Sequence, residues 1–284
     1  MTSKMLPEIS ENTSDHTILA IYNDIKGVLG TPNVNLIFRQ IATIPDGLEY
    51  VWTTLRPLHI NQSIKNASSR LISDLSLDVA IKHSLVKEAH YLSPKNILEI
   101  LYVLETYKYA NPINLIGIEI ILICLQNNRA SAKIQKTQYY NTEPSKITRS
   151  PKHLLPMSNL DGLPKVTMEK LKFLANIVPG ANNVNIPSLY RHFGAWPELL
   201  DDISVFLQTI FANDNGITDI KKMHSSSKKH AHKILATQPA GKAQPINYEK
   251  SRQLQSIIRR FPMNMCALTV IAIYLIKSLH KTNT

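Results

Sequence analysis

The chain predicts an all-α fold, with two related helical halves packed as a pseudo-twofold internal duplication. Two landmarks recur in order. Asn33-Val34-Asn35-Leu36-Ile37-Phe38-Arg39 leads to Pro45, and Asn185-Ile186-Pro187-Ser188-Leu189-Tyr190-Arg191 leads to Pro197, at an offset of 152 (185 − 33). Asn111-Pro112-Ile113-Asn114-Leu115 pairs with Phe261-Pro262-Met263-Asn264-Met265 at an offset of 150 (264 − 114). A near-constant offset marks a repeated unit, and the seam between two such units is a natural place for a pocket. Apolar residues elsewhere recur at helical spacing, nothing alternates as a strand does, and 9 Gly in 284 residues leave few tight turns.

Residues 1–15 read as a leader. Ser14-Asp15 can cap a helix that carries Ile18, Ile21, Ile25 and Val28 on one face. Gly30-Thr31-Pro32 stops it, and Pro32 can open the next helix, which holds Val34, Ile37, Phe38 and Ile41. Pro45-Asp46 breaks and recaps the chain before the apolar face of Leu48, Val51, Trp52 and Leu55. Further helices fit 64–75, 77–88, 94–107 and 114–125. The stretch 129–164 is a linker between repeat 1 (16–128) and repeat 2 (165–284), poor in periodic apolar residues and holding Pro144, Pro151 and Pro156. The second half replays the plan. A helix over 168–177, a turn at Val178-Pro179-Gly180, a helix over 187–194, a break at Trp196-Pro197 and a helix over 199–211 follow one another. Ser225-Ser226-Ser227 and 238–245 read as loops, and 252–280 holds the last helices.

A hydrophobic share of 44% and a charged share of 19% indicate a globular chain. The net charge of +11 favours anions as a class. Much of that excess sits in Lys221, Lys222, Lys228, Lys229 and Lys233 without a nucleic-acid motif, so nucleic acid is not an expected partner. Cys124 and Cys266 lie in apolar runs as buried thiols, and the polar N-terminus is unlike a secretory signal; both fit the cytoplasm. The apolar runs 115–125 and 266–276 are too short to span a membrane, and Glu119 interrupts the first; no membrane partner is expected.

Several side chains are candidates for a site. Asn33 and Asn35, like Asn182, Asn183 and Asn185, precede helices, where they either cap or line a pocket. Asn111, Asn114 and Asn264 flank prolines beside apolar helices, as buried amides or as ligand contacts. Arg39 and Arg191 can clamp a carboxylate, although an internal salt bridge is the commoner use. His224, His230 and His232 fall in a Ser- and Lys-rich stretch read as a solvated loop, where neighbouring lysines oppose a metal; no metal and no cofactor is expected. Asp46, Glu49, Asp201 and Asp202 suit first helical turns. No GxSxG, HExxH, P-loop or GxGxxG occurs.

Arg39-x-x-Ala42-Thr43-x-Pro45, Tyr109-Ala110-Asn111-Pro112, and Ser188 followed by Ala195-Trp196-Pro197 together resemble the group I (DehI-type) 2-haloacid dehalogenases, from about Ile21 to Ile276. The resemblance implies an all-helical fold with a site between the halves and cofactor-free hydrolysis of small 2-halocarboxylates. In that chemistry a buried Asp acts as general base on a water that displaces halide in line. By the same resemblance Asn111 positions the water and Ser188 stands beside the base; Asn114 and Pro187 are further candidate substrate contacts. The base itself falls at Leu189, which cannot accept a proton. Asn33 and Leu36 stand where the family has aromatics, and Ile258 where it has a Tyr. No Asp or Glu lies between Glu169 and Glu198. The reading is therefore a family protein whose inter-half pocket takes a small carboxylate without the usual Asp. Two alternatives stay open. One is a hydrolase of 2-haloacids with a relocated base, for which Asp201 and Asp202 are candidates; within the main reading, Tyr190, His192 or an acid from elsewhere could serve an unassigned chemistry. The other is a non-catalytic binding or structural protein. A homodimer is also left open.

Overall fold

The structure, a computed structural model, describes residues 7–75, 91–126, 154–178, 186–212, 215–238, 240, 243 and 245–280. The helix expected over 77–88, most of the linker, and Asn182, Asn183 and Asn185 lie outside them. The described residues contain helices and no strand. The helices are α1 (His16–Leu29), α2 (Leu36–Ile41), α3 (Gly47–Ile60), α4 (Ser63–Ser73), α5 (Pro94–Gln126), α6 (Lys165–Ala175), α7 (Ser188–His192), α8 (Pro197–Ala212), α9 (Asn215–Thr237), α10 (Tyr248–Ile258) and α11 (Pro262–His280).

Local chemistry sets the ends of the first elements. Asp15 accepts from the backbone amides of Thr17 and Ile18 at 2.9 and 3.0 Å and opens α1. Gly30 closes it at φ 64°, a conformation that a Cβ disfavours. Pro32 does not open α2: Asn35 does, accepting from the Ile37 amide at 3.2 Å. Asp46 precedes α3 at φ 65° without capping it, and its carboxylate instead meets Lys250 Nζ at 2.6 Å, tying α3 to α10.

Two expectations are corrected. The helices expected over 94–107 and 114–125 are one continuous helix, α5, with Pro112 inside it. Pro112 brings no N–H for the Lys108 carbonyl, a local cost outweighed by burial of almost every residue from Asn111 to Leu125. The Ser/Lys/His stretch is the helix α9 and not a loop. Ile220, Met223, Ser227, Ala231 and Ile234 form its buried stripe and the lysines its wet face. His224 reaches inward from α9, 3.2 Å from the buried Glu119 of α5.

The core centres on α5 and α11, which pack together more extensively than any other described pair. Stretches apolar and long enough to cross a membrane lie in Pro94–Gln126 and Tyr248–Leu279, but 78% of each is buried inside the protein, as for core helices. Gly117 lets α3 approach α5, because a Cβ there would stand 3.2 Å from Leu55 Cδ1. Around Trp52 a second cluster forms: Phe38 meets it edge-on at 6.3 Å and His59 stacks on it at 5.5 Å.

Burial holds the His59 imidazole down at about 3. His192 is held down at about 4 by burial first and by Arg191 in addition, against an opposing backbone contact from Leu155. Both are neutral in the folded protein, whereas in the unfolded chain they take a proton near 6.5. The stability they permit is complete above about pH 6.5 and is lost as pH falls toward 4, at about 1.4 kcal/mol per unit for each. Urea unfolding between pH 7 and 5 checks this expectation. A His59→Phe variant is expected to show about half the slope.

Candidate functional site

A cavity of about 620 Å³ opens where residues from both parts of the chain meet. Its wall is built from four pieces. The α1–α2 turn and α2 supply Asn33, Leu36, Arg39 and Gln40. One face of α5 supplies Tyr107, Ala110, Asn111 and Asn114, which share that face because they are three, four and seven residues apart. Ile186, Pro187 and Ser188 enter with the start of α7, and Arg259, Arg260, Phe261, Met263 and Asn264 come from the α10–α11 junction.

Six of the eight expected site residues therefore line one cavity: Asn33, Leu36, Asn111, Asn114, Pro187 and Ser188. Leu189 and Ile258 do not. Each is fully buried in the core, one residue away from a neighbour on the wall, Ser188 and Arg259. A step of one residue turns a helical side chain by about 100°, which carries each from the wall into the apolar interior behind it. Tyr190 and His192 are likewise buried and off the wall. Asp201 and Asp202 are occupied elsewhere, the first by Lys170 Nζ at 2.6 Å and the second by the Tyr91 hydroxyl.

The repeated arginines divide in use. Arg191 donates to the Ser158 carbonyl from Nε and from a terminal nitrogen at 3.4 and 3.3 Å, holding the chain before α6. Arg39 lines the cavity and meets Glu8 at 3.4 Å through one terminal nitrogen, while its Nε is buried without a hydrogen-bond partner.

That Nε is one of four orphaned polar atoms on residues of this wall. Asn111 Nδ2 is a second unused donor, and Gln40 Oε1 and Asn114 Oδ1 are unused acceptors. Asn111, Asn114 and Gln40 are 2%, 2% and 3% exposed. Buried groups of this kind are nearly always partnered, and leaving one bare costs about 1–3 kcal/mol. Four such atoms belong to residues of this one wall.

Burial raises the Tyr107 phenol above its usual range, opposed by a hydrogen bond with Ser188 and by the Arg39 and Arg191 charges. It is a neutral hydroxyl and not a base. Among the described residues the wall holds three arginines and no Asp, Glu or His. Such a surface attracts an anion, and none of its described side chains is a carboxylate or imidazole that could deprotonate water.

Gln40, Tyr107, Arg259 and Arg260 were not among the expected site residues. Tyr107 could have been found from Asn111 and Asn114, which it precedes by four and seven residues on a helix. Gln40 shows as a polar residue inside the apolar face of α2.

No protein-family profile matches the chain. No curated protein matches it in sequence. Its fold, however, matches solved structures. A D-2-haloacid dehalogenase mutant in complex with D-2-CPA superposes with a TM-score of 0.73 at 16% identity, over 98% of this chain and 97% of that one. A D-2-haloacid dehalogenase in complex with L-LA gives 0.75 at 15% identity, over 98% of both chains. A further dehalogenase mutant of the same specificity gives 0.76 at 16% identity. The chain shares the all-helical fold of these enzymes from end to end.

Proposed function

We propose that the chain is a divergent member of the group I 2-haloacid dehalogenase family, one that binds small carboxylates without hydrolysing them by the family's Asp-dependent route. One observation carries the reading: a wall with Arg39 and orphaned amides and, among the described residues, no carboxylate or imidazole. The recurring order of long, short and long helices (14, 6 and 14 residues in α1–α3, then 11, 5 and 16 in α6–α8) supports descent from a duplicated unit. Two buried cysteines outside any disulfide suit the cytoplasm.

The ligand's carboxylate takes the Arg39 and Asn111 donors. Gln40 Oε1 and Asn114 Oδ1 ask for a donor in return. A 2-hydroxycarboxylate brings one and a 2-halocarboxylate does not, so the hydroxy acid is the better fit. Among the structures of like fold, one D-2-haloacid dehalogenase is in complex with L-LA and a D-2-haloacid dehalogenase mutant with D-2-CPA.

Calorimetric titration tests the reading. Lactate is expected to bind about tenfold more tightly than 2-chloropropionate, the worth of one good hydrogen bond. Asn114→Leu is expected to remove that preference and to raise the unfolding temperature, since it deletes an unsatisfied buried amide. Equal affinity for the two acids, with the Leu variant unchanged, would refute the assignment.

A further inference from the structure

We infer that the cavity takes a dianionic ligand, a 2-hydroxycarboxylate bearing a second anionic group, with that group held by Arg259 and Arg260. The inference rests on the carboxylate reading and extends it.

Size comes first. A cavity of about 620 Å³ lies within the range of about 300–1,000 Å³ that suits drug-sized ligands. A three-carbon acid placed against Arg39, Asn111 and Asn114 leaves most of it unfilled.

The rest of the space is charged in one sense. Arg259 and Arg260 follow the last residue of α10 and line the cavity while exposed to water, so they sit at its mouth. The one side-chain contact Arg259 makes among the described residues is with the neutral Gln255 Oε1, at 3.2 Å. No described carboxylate pairs with either guanidinium. Two adjacent arginines repel each other, and an anion between them relieves that repulsion. The next helix adds to this: Met263 and Asn264, in the first turn of the 19-residue α11, lie on the same wall, where free amides carry partial positive charge.

The wall therefore has two anion-receiving ends, one with Arg39 and one with Arg259 and Arg260. The deep end adds the buried amide residues Asn111 and Asn114 and the buried Gln40. A second carboxylate and a phosphate share the chemistry that the outer end recognises, and bidentate binding by arginine suits both.

The experiment is a titration of the full chain with lactate, malate, 2-hydroxyglutarate, 3-phosphoglycerate and malic acid β-amide at low salt. Malate, 2-hydroxyglutarate or 3-phosphoglycerate is expected to bind at least tenfold more tightly than lactate. The amide, of the same size but with one charge fewer, is expected to fall back toward lactate. In Arg259→Gln/Arg260→Gln the ratio of dianion to lactate affinity is expected to fall to about one. Which of these acids gains most at matched charge, with 3-phosphoglycerate titrated also at about pH 5 where its phosphate is singly charged, tells carboxylate from phosphate. If lactate binds but every dianion stays within about twofold of it, or if the gain survives in the double variant, the outer anion site is refuted while the carboxylate reading stands. If no acid binds at all, the carboxylate reading itself fails. Both arginines are exposed, so the double variant is expected to keep its fold, and an unchanged unfolding midpoint verifies that.

Discussion

Asp24→Ala is expected to lower the unfolding free energy by about 3 kcal/mol. Asp24 is one carboxylate serving two elements of the Trp52 cluster. Its Oδ2 accepts from Trp52 Nε1 at 2.6 Å and from Arg56 Nε at 2.6 Å, and its Oδ1 accepts from an Arg56 terminal nitrogen at 3.1 Å. The Asp24 and Arg56 side chains are each only 15% exposed, so solvent screens the pair weakly. Removing the carboxylate takes the acceptor from the indole and the closest partner from a mostly buried guanidinium. It also unties α1 from α3, because Asp24 stands on one and Trp52 and Arg56 on the other. Asp24→Asn, which keeps one acceptor for the indole, is expected to cost about half as much. Urea unfolding of the three proteins checks the order, and an Asp24→Ala variant as stable as the parent would remove this contact from the account.

Leu189→Asp is expected to destabilise the chain by about 4 kcal/mol at neutral pH and to release no halide. Restoring the family's acid at that position would be a route to activity only if the side chain reached the cavity. Leu189 is fully buried and off the wall. An Asp there loses a leucine's packing and places a carboxyl among apolar neighbours. Its folded pKa would lie above its unfolded value near 3.9, so the penalty grows as pH rises through that range and shrinks in acid. A pH series of unfolding midpoints reads this sign directly. Halide release by the variant at any pH would mean that the position does face substrate.

The helical fold was legible because most elements obey local rules. The apolar periodicity and Asp15 cap of α1, its stop at Gly30 and the stripe of α8 are all visible in one dimension. Two elements were not legible, for opposite reasons. In α5, Asn111-Pro112 reads as a break, yet burial on every side of the following residues keeps the helix whole. In α9, lysines and serines dominate the composition and hide a narrow buried stripe that includes Asp219, Ile220, Met223, Ser227, Ala231 and Ile234.

The site divides in a similar way. Asn111 and Ser188 were reached through the motifs that carry the family resemblance and Asn114 through the repeated landmark it shares with Asn264, and all three stand on one wall. Leu189 and Ile258 were reached by the same motifs and are in the core, because alignment of sequences does not resolve the turn of a helix between adjacent residues. Gln40, Tyr107, Arg259 and Arg260 come from three separate segments, and only the packing of α2, α5 and the α10–α11 junction brings them together.

The most direct test of the central claim is halide release from both enantiomers of 2-chloropropionate, with the same acids titrated for binding and with Asn111→Ala beside the parent. The account predicts saturable binding by the parent, at least tenfold weaker binding by Asn111→Ala, and no halide above the uncatalysed rate. Halide release by the parent that disappears in Asn111→Ala would contradict it, since the cavity would then hold a working base that the wall of arginines and amides does not contain.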